Sequence, residues 1–142
     1  MKALRMTSLS VLCLLLAAAC QAASDVFQSL GEIHLVVNPS VLTTSDTLDV
    51  SLINRSSASV GYDLCFTSVE QSAGDQWVRS SAGADRSCTK ELRVLAPGRS
   101  AAALLPLGAS LAPGTYRVRT GIEWRVGEGQ RDVVSDPFSV LP

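Results

Sequence analysis

One histidine and four cysteines are the strongly reactive side chains of this 142-residue chain. An acid–base catalyst sets a nucleophile beside a base, and a metal centre gathers three or four ligands around one ion. His34 lies in a run where Ile33, Leu35 and Val37 alternate with Glu32, His34 and Val36. Its parity is opposite to the apolar set, which predicts a solvated position on a strand rather than a base or ligand. No His, Cys and carboxylate fall at metal-ligand spacing, and the carboxylates are scattered over turns and outer strand positions. The sequence therefore predicts no catalytic residue, no metal site, no cofactor and no enzyme.

The cysteines say more about compartment than about catalysis. Lys2 and Arg5 precede an apolar run at 9–16 and the small residues Ala17, Ala18 and Ala19, the layout of an export leader over 1–19. It is shorter than the ~20 apolar residues a permanent span needs. Cys13 leaves with the leader. Cys65 and Cys88 remain inside the body of the chain, and export to an oxidising compartment predicts a disulfide between them. Cys20 has two fates. Leu16-Ala17-Ala18-Ala19-Cys20 resembles a bacterial lipobox, in which Cys20 is acylated, with Ala17 standing where Leu is usual. A cut after Ala22 would instead discard Cys20 and release a soluble protein. The lipid anchor is favoured, because the polar stretch 20–30 would serve as a tether between membrane and domain.

The elements that must position these residues read as strands. Residues 31–142 match the usual size of one domain, roughly 100–150 residues. The organising stretch is Leu-Ala-Pro-Gly-Thr-Tyr from Leu111, followed by strict alternation: Tyr116, Val118, Thr120, Ile122, Trp124 and Val126 on one face, Arg117, Arg119, Glu123 and Arg125 on the other. Pro113 and Gly114 form the turn before it, with Gly114 expected at positive φ. Further strands are expected at 33–37, 48–52, 60–69, 76–79, around Leu92 and Val94, at 101–107 and at 133–140, where Asp136-Pro137 suits an edge or bulge. In the 60–69 run Tyr62, Leu64 and Phe66 share one parity, which turns Cys65 to the outside of the sheet and makes its bridge a clip for the intervening loop. The segment 80–87 is small, polar and aperiodic, and is expected to be the most mobile loop. No helical period follows the leader. The fold class is an all-β, Ig-like antiparallel β-sandwich of seven or eight strands, with a closed eight-stranded barrel as the alternative.

Four further features bear on partners. A formal net charge of −1, more acidic once Lys2 and Arg5 are removed, argues against nucleic acid. Arg117, Arg119 and Arg125 with Glu123 would make a docking stripe for an acidic partner or, more in keeping with a strand's wet face, a set of cross-strand ion pairs. Trp124 shares the core parity and is read as packing, whereas Trp77 beside a turn is the candidate for partial exposure. Asn54-Arg55-Ser56 matches a glycosylation sequon, relevant only in a eukaryotic secretory pathway.

Five motifs in order carry a resemblance: Leu52-Ile53-Asn54-Arg55-Ser56, Gly74 to Trp77, Pro97-Gly98-Arg99-Ser100, Pro113-Gly114-Thr115-Tyr116-Arg117, and Pro137-Phe138-Ser139-Val140. Across 31–142 the chain resembles the Ig-like domains of bacterial exported lipoproteins, and in layout it is similar to the intracellular proteinase inhibitor family of bacilli. Tyr116 after Pro-Gly also resembles the tyrosine corner of Ig-like sandwiches, in which the phenol bonds backbone upstream. The resemblance implies a fold more than an activity. The function expected is an exported, non-catalytic binding or accessory module of the cell envelope or periplasm, with a protein partner and no membrane contact beyond the lipid at Cys20. The alternative is a secreted or surface-held protease inhibitor.

Overall fold

Residues that alternate apolar and polar can bury one face of a strand and wet the other, and this alternation runs through most of the folded chain. The computed structural model describes residues 32–43, 47–84, 86–107, 111–124 and 129–142. The leader, Cys20 and the 20–30 tether lie outside the described residues, as do Arg125, Val126, Gly127 and Glu128. The strands are β1 (Ile33–Asn38), β2 (Val41–Leu42), β3 (Thr47–Asn54), β4 (Val60–Tyr62), β5 (Ser68–Ala73), β6 (Gln76–Arg79), β7 (Arg93–Leu95), β8 (Ser100–Pro106), β9 (Gly114–Glu123), β10 (Gln130–Val134) and β11 (Phe138–Val140). They belong to one compact unit, Ile33–Pro142.

Two sheets pack as an all-β sandwich. The smaller has the order β1-β3-β8, and the larger is built around β9. On one side β9 pairs with β10 and β11, on the other with β4 and β5; β7 extends β4, β6 extends β5, and β2 runs parallel to β11. The core lies between the sheets. Leu35, Leu48, Val50 and Leu52 enter it from the smaller sheet, and Val69, Tyr116, Val118, Ile122, Trp124 and Phe138 from the larger. Tyr116 and Phe138 stack with ring centroids 5.9 Å apart, a contact type worth about 0.5–1.5 kcal/mol beyond area burial.

The eleven strands make eight passes, because three passes are each split in two. At Asn38-Pro39 the chain leaves the smaller sheet as β1 and joins the larger as β2, through a cis peptide bond. At Ser135-Asp136-Pro137 a bulge interrupts the last pass. Val134 is opposite Arg119 and Phe138 opposite Tyr116, so three residues face two. Ser135 repairs the ladder there, its N–H donating to Val118 O at 2.9 Å while its Oγ accepts from Val118 N at 3.0 Å.

The third split corrects the strand expected at 60–69. Leu64–Phe66 is a 3₁₀ turn whose N-cap, Asp63, accepts from Cys65 N at 2.9 Å. Tyr62 is opposite Ile122 and Ser68 opposite Arg119, so five residues face two and the side-chain parity is lost across the turn. Leu64 is buried, whereas Phe66, expected on the same inner face, is 49% exposed. Cys65 lies on the turn and not on a sheet face.

Two smaller points concern the facing of β7 and, as a correction, the geometry of the turn at Gly114. β7 takes its orientation from Leu95, which sits opposite Val60 in the core, so Val94 faces outward and Leu92 lies over Gly61 on the outer side. Gly114 is not among the positive-φ glycines. It is the first residue of β9, opposite Val140, and a Cβ there would lie 3.3 Å from the end of Gln71 and 3.6 Å from the Tyr116 ring. The similar turn Ala96-Pro97-Gly98-Arg99 does use positive φ: Gly98 is at +70° and Arg99 N donates to Ala96 O at 3.2 Å.

Candidate functional site

The 3₁₀ turn, the end of β6 and the loop after it meet beside the bridge between Cys65 and Cys88. Each part is held locally. The β5–β6 hairpin turns at Gly74-Asp75 with Gly74 at φ +64°, and it brings Trp77 opposite Ser72 and Arg79 opposite Glu70. Ser80 N then donates to Val69 O at 2.8 Å, and a turn at 81–84 places Gly83 at φ +68°. Gly83 has a second reason to lack a side chain, since a Cβ would come within 2.9 Å of Leu105 Cδ1. Arg86 fastens the loop by donating from Nε to Gly83 O at 2.8 Å and from its terminal nitrogen to Thr67 O. Burial lowers the pKa of that guanidinium from its ordinary value.

These parts line a cleft of about 290 Å³. Its described lining includes Phe66, Arg79 and Arg86, the hydroxyls of Thr67, Ser68 and Ser80, and the disulfide itself. The loop expected to be the most mobile is thus tied at three places, by the Ser80 bond, by Arg86 and by the bridge at Cys88.

The outer face of β9 carries a separate network. Glu70, buried on β5, receives Arg117 Nε and Nη2 at 2.7 Å on Oε2, and Arg119 Nε lies 2.9 Å from its Oε1. The Arg119 Nε contact is an ion pair by distance, but that N–H has no hydrogen-bond partner, so its attraction is electrostatic. Arg119 also reaches Asp132 at 3.0 Å, and the Trp77 ring covers Arg117 with the guanidinium carbon 4.4 Å from its centroid. Arg117 and Arg119 are therefore neutralised within the domain, and Trp77 is half-buried against Arg117. Trp124 is buried in the core.

The expected corner residues meet at the other end of β9. Tyr116 donates its hydroxyl to Ala112 O at 2.7 Å, just upstream of Pro113 and Gly114. Tyr116 is 1% exposed, and desolvation raises its pKa. His34 stands on β1 opposite Ile53. Among the described residues no group of three His, Cys, Asp or Glu could hold a metal ion.

Asn54 is a structural residue whose role the sequence reading missed. It is 0% exposed; Nδ2 donates to Ala58 O at 2.8 Å and to Leu95 O at 2.9 Å, and Oδ1 accepts from Ser56 N at 3.0 Å. One side chain thereby ties β3 in the smaller sheet to β7 in the larger. Both amide hydrogens are engaged in the interior, so the sequon cannot carry a glycan in the folded domain. The signal available in sequence was an Asn followed two residues later by Ser at a strand end, the pattern of a local side-chain-to-backbone turn.

Comparison with protein-family models and with curated proteins gives no match.

Proposed function

We propose that this chain is an exported, non-catalytic binding module of the cell envelope and that it presents the cleft beside the Cys65–Cys88 bridge to a protein partner. The observation that carries the reading is Phe66. An aromatic ring left 49% exposed on a disulfide-tied turn, beside a cleft, is a rigid anchor of the kind that dominates protein interfaces. The arginine stripe on β9 supports the same choice by elimination, since Glu70 and Asp132 already pair Arg117 and Arg119. In this reading a lipid on Cys20 would hold the domain at the membrane through the 20–30 tether. A protease inhibitor has less support, because it would need a rigid loop standing away from the body, whereas Arg86 and Ser80 draw this loop down onto the sheet.

The test is affinity capture from a cell-envelope extract with wild type, Phe66→Ser and Arg79→Glu, all three matched in thermal midpoint. A partner retained by wild type and lost by both variants supports the cleft. A partner retained equally by all three places the binding surface elsewhere.

A further inference from the structure

A sheet edge exposes unpaired N–H and C=O groups, and folded chains shorten, charge or cover it. Most edges of this sandwich are treated in that way. β2 has two residues, β7 has three including Arg93, β6 ends in Arg79, and β1 meets Ser135 through a bridge at Leu35. β8 is different. Its seven residues, Ser-Ala-Ala-Ala-Leu-Leu-Pro, carry no charge. It pairs with β3 on one side, and among the described residues no backbone hydrogen bond reaches it from the other. A groove of about 350 Å³ separates it from the neighbouring segment that carries Arg86, Thr89 and Arg93.

We infer that β8 pairs with β8 of a second copy of this chain, antiparallel about a twofold axis through Ala103. The order of small and large residues selects this occupant. Antiparallel pairing about Ala103 sets Ser100 against Pro106, Ala101 against Leu105, Ala102 against Leu104, and Ala103 against itself. All seven residues are used, and each Leu meets an Ala. The parity also agrees: Ala101, Ala103 and Leu105 sit opposite the core residues Leu52, Val50 and Leu48, while Ala102 and Leu104 face outward together. Leu104, 71% exposed in one copy, gains an apolar neighbour across the seam. Asp49, the carboxylate beside Leu104 on that face, lies one strand back from the seam, so the two copies' Asp49 side chains are not set opposite each other. The same patch serves both copies, as a closed twofold interface requires, and the two small sheets become one of six strands. A foreign extended segment would not call for the Ala-to-Leu order. This inference concerns a different surface from the cleft and does not depend on it.

Sedimentation of the full exported chain over a range of concentrations tests the pairing. Wild type should shift from one copy to two. Leu104→Lys and Ala102→Lys change outward positions, so they should keep the thermal midpoint and stay at one copy. Ala103→Cys should give a covalent dimer whose peptide map joins the substituted position to itself, and Val78→Cys, on the exposed edge strand β6, should not. A single copy up to about 1 mM overturns the inference. So does a dimer indifferent to both lysines, a map lacking the self-link, equal linking by Val78→Cys, open-ended association, or an edge that takes up a foreign strand in place of its own copy.

Discussion

At the scale of single residues, the two Pro-Gly turns differ in what they ask of glycine. Gly98 occupies φ +70° with open space where a Cβ would stand, whereas Gly114 is an ordinary strand residue close to Gln71 and Tyr116. Gly98→Ala should therefore cost about 1–2 kcal/mol from the left-handed backbone alone. Gly114→Ala should cost less, since the Gln71 terminus can move aside. Equal shifts in denaturation midpoint for the two variants would contradict this ordering. Tyr116→Phe should cost about 0.5–1.5 kcal/mol by removing the bond to Ala112 O. It should also change the alkaline limb. The folded pKa of Tyr116 is raised by burial, so its contribution is complete below the unfolded value near 10 and declines as pH rises above it. Wild type should lose stability more steeply than the Phe variant above about pH 10. The identical sequence Leu-Ala-Pro-Gly supplies both turns, so their difference was not legible locally; it arises because Gly114 is already paired with Val140 and Gly98 is not in a ladder.

At the scale of elements, β9 was legible and the pass before it was not. Tyr116, Val118, Thr120, Ile122 and Trp124 are all buried, as their strict alternation required. In 60–69 the same apparent period comes from Val60, Tyr62, Leu64 and Phe66, but Asp63 caps a 3₁₀ turn that rotates Phe66 outward. Alternation in a short run cannot separate a strand from such an insertion, and the cap residue was the available warning. The cleft was equally hidden, because it forms only where that turn, the end of β6 and the clipped loop converge. β7 was legible as a strand but not in its facing, since three residues define no reliable parity and Leu95 opposite Val60 decides it. The clip itself has a measurable consequence. With a sequence separation of 23, the bridge is worth roughly 3 kcal/mol in the chain-entropy model. Reduction should raise amide exchange in residues 80–92 well before β9 loses protection. Exchange that rises uniformly across both regions would mean that the bridge is not a local clip.

At the scale of the whole molecule, we propose a rigid sandwich held by an anchored N-terminus and working through the cleft beside the Cys65–Cys88 bridge. The anchor is testable by fractionation and intact mass. Wild type should sediment with membranes and carry a lipid mass, and Cys20→Ala should appear in the soluble fraction without it. A soluble wild type beginning at Ala23 would remove the anchor from the account and leave the cleft untouched. The central claim is that the partner docks beside the clip. A photo-crosslinking amino acid introduced at Phe66 in cells, with Val36 on the opposite sheet as the comparison position, tests it most directly. The account predicts a discrete adduct from position 66 that is absent from position 36 and lost when Arg79→Glu is added. No adduct at 66, or the same adducts from both positions, would contradict it.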